Sequence, residues 1–415
     1  MQSTYFADRH TLNKTNLDKN CQSDIKRWSG DAKAIKSALD AIDGHYGAGT
    51  SQLWIYEPSA KYTDRTRTEV FCRTAFSIGN LDEANYVTII VPGTTHSVNG
   101  AILTERNSDF GKGLQGPYDI AKDGGTLTSL VAKNAIPLYD KCRSLNTTKK
   151  FALVVWMGYR APMGSPPGPA IWAWGTDGAV KLIADVLSLR GNKGPHHLTI
   201  SGHSYGSTTT GIAARTFNDF KKPPELANLN GLADALVLLG SPGACAMTAA
   251  DLGVPKDKVY VCSDYYDIIT YLAAFGRDPA SKDFGAVTLK SKVPNFVFER
   301  QNWLAYSVRW IARRAFAGFT SHSHYYNAGN PSLESIARIA IQESPEKITR
   351  CKGRSLGGSW SQKQFNWTPL SIVRYIGISP AMWTNKDVVG TAMLNLAEEN
   401  LRPLDDQDPN TQLPN

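Results

Sequence analysis

Between residues 86 and 262 the chain alternates short, unbroken apolar runs with stretches of helical character, and few folds accommodate that order. Tyr86–Val91, Phe151–Met157, Leu198–His203, Ala233–Leu239 and Lys258–Cys262 read as strands, with helices expected over 125–143, over 177–190 and after Gly206. The runs are continuous rather than alternating in polarity, as expected of strands covered on both faces. A helix between successive strands calls for right-handed crossovers and an open, doubly wound α/β sheet. Before this region, Ile25, Trp28, Ala32, Ile35, Leu39 and Ile42 recur at helical spacing, with Gly44 and Gly47 as stops. Leu53–Tyr56 and Val70–Ile78 read as further strands, the first twenty residues as a loose polar segment, and 332–342 as a late helix.

Sheets of this kind collect their chemistry at the carboxyl ends of the strands. Gly202-His-Ser-Tyr-Gly206 lies at such an end and fits the G-x-S-x-G elbow. A strand-to-helix turn sharp enough to expose the hydroxyl of Ser204 crowds the positions two before and two after it, so glycine is wanted at both. The serine is then held in strained backbone. The structural alternative is a tight turn with no chemistry.

A serine hydroxyl needs an imidazole to take its proton, and the imidazole needs a carboxylate to orient it. Downstream of Ser204 the histidines are His322 and His324, both in the polar stretch Thr320-Ser-His-Ser-His-Tyr-Tyr-Asn327. The carboxylate is expected just after the strand ending at Cys262, where Asp264 and Asp267 stand. Asp267 is preferred because Ile268 and Ile269 return the chain to the body; Asp264 is the alternate, and either could be a turn or helix-cap residue. A tetrahedral oxyanion would need two backbone donors. Tyr205 N–H is one, and Thr94 N–H is the other, with Gly93 allowing close approach in Val91-Pro-Gly-Thr94.

Composition narrows the rest. The 415 residues are 42% hydrophobic and 20% charged, enough for a large core. No run of eighteen apolar residues suggests a membrane span. Met1–His10 is polar and lacks the apolar stretch of a secretory signal, so a cytoplasmic location is the default expectation. The net charge of +8 reads first as a basic soluble surface, with an anionic envelope or membrane surface as a possible partner. No zinc spacing, RNA-binding signature or dense Lys/Arg block is present, so nucleic acid is not expected as a partner. Six cysteines (21, 72, 142, 245, 262 and 351) show no C-x-x-C pair or Cys/His cluster, so no metal site is expected. Cys262 reads as a small buried residue, and the even count permits disulfides. Leu304, Val308, Ile311, Ala315 and Phe319 form a helical stripe beside Arg309, Arg313 and Arg314, which reads as a mobile lid or as a helix packed on the core.

Val91-Pro-Gly-Thr94, Trp156-Met-Gly-Tyr159, Ser201-Gly-His-Ser-Tyr-Gly-Ser207 and His322-Ser-His-Tyr325 together resemble an actinobacterial α/β-hydrolase family long catalogued as a domain of unknown function. The likeness covers roughly residues 50–345. It implies the α/β-hydrolase fold, a mostly parallel doubly wound sheet with helices on both faces and an inserted lid-like segment. It also implies a triad of Ser204, Asp267 and His322, an oxyanion turn at Gly93 and Thr94, and no cofactor. On this reading residues 1–50 are an N-terminal helical extension, 51–350 the catalytic domain, 351–401 an accessory segment and 402–415 a disordered tail. The expected function is a serine esterase or lipase acting on a small-molecule or lipid-like ester. A peptidase or acyltransferase would use the same triad. The alternative from another class is a non-catalytic binding or structural protein on a hydrolase shell, or a membrane-surface protein anchored by residues 303–319.

Overall fold

The computed structural model describes residues 5–63, 68–94, 98, 127–161, 168–193, 196–219, 229, 231–264, 267–271, 274–292 and 321–354. Two helices, α1 (Tyr5–Cys21) and α2 (Lys26–Tyr46), precede the hairpin β1 (Ser51–Thr63) and β2 (Thr68–Ile78), then β3 (Tyr86–Val91). Next come α3 (Leu127–Leu130) and α4 (Ile136–Leu145), joined by the π turn Val131–Ala135. β4 (Phe151–Met157), α5 (Gly168–Lys193), β5 (His197–His203), α6 (Tyr205–Asp219), β6 (Ala235–Leu239), β7 (Val259–Cys262), β8 (Val287–Leu289) and α7 (Pro331–Ala340) follow. The eight strands form one sheet in the order β1-β2-β4-β3-β5-β6-β7-β8. β1 pairs β2 and β2 pairs β4 antiparallel, whereas β4-β3-β5-β6-β7-β8 are parallel.

The unbroken apolar runs feed two cores because successive strand side chains point to opposite faces. In β4 every residue is buried. Ala152, Val154 and Trp156 join the core under α5 and α6, while Phe151, Leu153, Val155 and Met157 join the core under α2, α4 and α7. The result is a mostly parallel, doubly wound sheet with helices on both faces, as expected. Across one flank, Arg73 on β2 pairs with Asp185 on α5 and, at 2.6 Å, with Glu57 on β1. Trp156 Nε1 donates to the same Asp185 carboxylate at 2.6 Å.

Two local expectations are corrected, and one strand is added. Against the expectation of a loose polar segment, residues 5–21 are helical and bury Phe6, Leu17 and Cys21. Their polar spelling serves the edge of the sheet. Leu53 N donates to His10 Nδ1 at 2.8 Å, and Asn13 Nδ2 donates to the carbonyls of Leu53 and Trp54 at 3.2 and 2.7 Å. Gly44 does not stop α2, which runs to Tyr46 and ends at Gly47, whose φ of 105° is left-handed. β8 was not anticipated, since three residues carry too little pattern to read. All six cysteines are free thiols, and Cys262 is fully buried. Among the described residues no helix is long and apolar enough to cross a membrane. The lid-like stripe at 303–319, the segment after Arg354 and the tail 402–415 lie outside the described residues.

Candidate active site

Ser204 sits between β5 and α6, in the middle of the sheet, with a φ of 54° that non-glycine residues rarely adopt. The surroundings hold it there. Its N–H donates to Leu239 O at 2.8 Å, and its carbonyl accepts from Ser207 N at 2.9 Å and Ser207 Oγ at 2.5 Å. A Cβ on Gly206 would lie 2.5 Å from Pro92 O, and one on Gly202 would lie 2.7 Å from Gly206 O. Both glycines of the elbow are therefore demanded by close approach.

The turn after β3 packs directly on this elbow. A Cβ on Gly93 would stand 2.6 Å from Ser204 Cβ and 3.2 Å from Ser204 Oγ, so no larger residue fits without displacing the serine. Tyr159 OH donates to Pro92 O at 2.7 Å and fixes the turn. Its ring stacks between Trp156, at 5.8 Å between centroids, and Tyr205, at 6.4 Å. Phe275 meets Tyr205 edge-on at 5.5 Å. Thr94 follows Gly93, half-buried at the mouth of the turn. Tyr205 is the first residue of α6, where backbone N–H groups emerge from the helix end.

A second cluster assembles from the ends of β6 and β7 and from the late loop. His322 Nδ1 lies 2.8 Å from Asp267 Oδ2, and Tyr325 OH donates to the same oxygen at 2.6 Å. Asp267 is fully buried, while the His322 side chain keeps 12% of its surface exposed. Burial alone would raise the pKa of Asp267. The charge of His322 and the hydrogen bonds from His322 and Tyr325 outweigh it, so the carboxyl is held below its ordinary range. Burial and the neighbouring Asp267 charge push Tyr325 well up, which keeps its phenol a proton donor. Gly240, at φ 55°, makes room for the pair, since a Cβ there would lie 2.9 Å from both Asp267 Oδ2 and His322 Nδ1.

The two clusters are tied together. His203 Nε2 lies 2.6 Å from His322 O, and Ser204 N binds the carbonyl of Leu239, the residue before Gly240. No hydrogen bond joins Ser204 Oγ to His322 among the described residues. Such contacts are often loose until a substrate is bound.

The alternates lie elsewhere. Asp264 Oδ2 accepts from Ser291 Oγ at 3.2 Å, and Asp264 N donates to Tyr325 OH at 3.0 Å. Burial lowers the pKa of His324, and its carbonyl accepts from Asn330 Nδ2 at 3.0 Å. The fold thus brings Asp267 and His322 into contact and gives Asp264 and His324 other partners. Sequence reasoning missed Tyr325, His203 and Gly240. Each stood inside or beside a quoted motif, and the glycine directly after an apolar strand was the available signal for Gly240. Among the described residues no group of three or more His, Cys, Asp or Glu could hold a metal ion.

Residues 68–277, just over half of the chain, match the alpha/beta hydrolase family. The chain belongs to that family. The chain is also similar to uncharacterized mycobacterial proteins. One, of Mycobacterium tuberculosis strain H37Rv, is 27% identical over 296 residues, covering 65% of this chain and 37% of the relative. Another, of Mycobacterium bovis, is 25% identical over 214 residues, covering 49% of this chain and 66% of the relative. The chain thus spans little more than a third of the first of these relatives. Among solved structures, the chain resembles a Trichoderma reesei cutinase in complex with a phosphonate inhibitor. That likeness has 11% identity and a TM-score of 0.34, and covers 80% of this chain and 97% of the cutinase.

Proposed function

We propose that this hydrolase cleaves carboxylic esters through an acyl-enzyme on Ser204. The observation that carries the reading is the 2.8 Å contact of His322 Nδ1 with the buried Asp267 carboxylate, at the sheet end that also bears the strained Ser204 elbow. With Nδ1 engaged by Asp267, Nε2 is the nitrogen that takes the Ser204 proton as Oγ attacks the acyl carbon. The oxyanion of the tetrahedral intermediate accepts from Thr94 N–H and Tyr205 N–H, with Gly93 leaving it space. His322 then returns the proton to the departing alcohol, and water repeats the cycle to release the acid. The substrate is a small-molecule or lipid-like ester. The charge of +8 suits work at an anionic envelope or membrane surface. Residues 51–350 form the catalytic unit in this reading, with 1–50 as its helical extension, 351–401 as an accessory segment and 402–415 as a tail.

A fluorophosphonate probe should label the wild type and leave Ser204→Ala unlabelled. Turnover of p-nitrophenyl esters should fall by about 10⁴-fold or more in that variant. A wild type that neither labels nor turns over such esters would falsify the proposal.

A further inference from the structure

We infer that Arg354 is a positioning residue for this site, its guanidinium latching the loop that carries Asp267. The inference rests on the reading of Asp267 as the acid of the triad. The described residues after β7 are tied by short-range hydrogen bonds. Asp267 N donates to Asp264 O at 3.2 Å, Thr270 N donates to Asp267 O at 3.3 Å, and Thr270 Oγ1 donates to the same carbonyl at 2.8 Å. Ile269 N donates to Asp267 Oδ1 at 3.0 Å, so the orientation of the carboxylate depends on the shape of this loop.

Arg354 grips the loop on both sides of Asp267. Its Nη2 donates to Asp264 O at 3.0 Å and to Thr270 Oγ1 at 2.9 Å. The other arm, Nη1, pairs with Asp278 Oδ2 at 3.2 Å, and both side chains are largely buried. The backbone of Arg354 is itself fixed. Arg354 N donates to Ala280 O at 2.9 Å, Lys282 N donates to Arg354 O at 3.1 Å, and Ala280 N donates to Asp278 Oδ1 at 2.9 Å. Residues 278–282 thus anchor the peptide and one arm, leaving the second arm for the acid loop. A planar fork presents two separate nitrogens, one to Asp278 and one to the two loop acceptors, whereas an ammonium offers all its donors from a single point. Arg354 stands outside residues 68–277, so the latch comes from a part of the chain that the family match does not cover.

The test uses the full chain with Arg354→Ala and Arg354→Lys. A carboxylate displaced by a fraction of an ångström should lower kcat on p-nitrophenyl acetate about 10- to 100-fold, with KM within about twofold. Fluorophosphonate labelling of Ser204 should slow in step. Guanidinium added at sub-denaturing concentration should restore part of the kcat of Arg354→Ala, and ammonium should not. A folded Arg354→Ala with wild-type kcat, or one whose loss guanidinium leaves untouched, sinks the inference. Should Arg354→Ala not fold, Asp278→Asn decides. It frees the anchored arm while keeping an acceptor for Ala280 N, and is expected to lower kcat several-fold at constant KM; wild-type kcat there refutes the latch. Failure of the site reading looks different, because the wild type itself would then neither label nor turn over, and this inference would fall with it.

Discussion

The Asp267 carboxylate shows how a buried charge is kept useful. One of its oxygens serves both His322 and Tyr325, and the tyrosine in turn accepts from Asp264 N. Deleting the phenol hydroxyl removes a charge-assisted hydrogen bond, about 1.5–3 kcal/mol in typical cases. Tyr325→Phe should therefore lower kcat on p-nitrophenyl esters by about tenfold or more. The sign of the pH effect follows from the carboxyl's depressed pKa, caused by burial being outweighed by the charge of His322 and by the two donors. Without one donor that pKa rises, so the Asp267 carboxyl of the variant should take up its proton at a higher pH than in the wild type, read by NMR of the carboxyl carbon. An unshifted carboxyl titration would count against this role for Tyr325. At this scale the elbow and the turn packed on it were legible, because Gly202, Gly206 and Gly93 are spelled locally. Asp267 could be preferred over Asp264 from the apolar Ile268-Ile269 that follows it, but nothing local separated His322 from His324, which share one loop, and only the family resemblance pointed to His322.

Helix α1 illustrates why element-level reading fails at edges. A helix that binds an unpaired strand through polar side chains looks, in one dimension, like a solvated segment. His10 must be neutral at Nδ1 to accept the Leu53 amide, and burial followed by the nearby Lys14 charge lowers its pKa. A histidine whose folded pKa is lowered contributes stability that is present above the unfolded value, about 6.5, and is lost as pH falls through the folded value. His10→Gln can offer an oxygen to Leu53 N without titrating. The stability difference between wild type and His10→Gln, from urea denaturation, should therefore move toward the variant as pH drops below about 6.5. A difference independent of pH would show that His10 does not titrate with folding. The strands between residues 86 and 262 were legible for the opposite reason, being apolar on both faces. The three-residue β8 was not, because its identity is set by pairing with β7 and by the bridge from Leu289 to Arg350.

At the scale of the whole molecule, the β2–β4 pairing joins the antiparallel hairpin to the parallel body, and the Arg73–Asp185 pair ties β2 to α5 beside that joint. Trp156 and Glu57 complete the set of partners. Asp185→Ala would leave Arg73 buried with its main counter-charge gone, a loss of about 3–5 kcal/mol by analogy with broken buried pairs. Replacing both residues by apolar ones of similar volume should recover much of it, which denaturant titration of the single and double variants would measure. Equal losses in both variants would refute the account. By itself the sequence determined the layered α/β architecture and the location of the strained serine, because both depend on periodicities and glycine positions within a few residues. Only the tertiary structure decided that Tyr325 shares the Asp267 carboxylate with His322, that Gly240 clears their space, and that Arg354 reaches the loop of Asp267. Those facts arise where chain segments tens of residues apart converge, and no local periodicity records such a meeting.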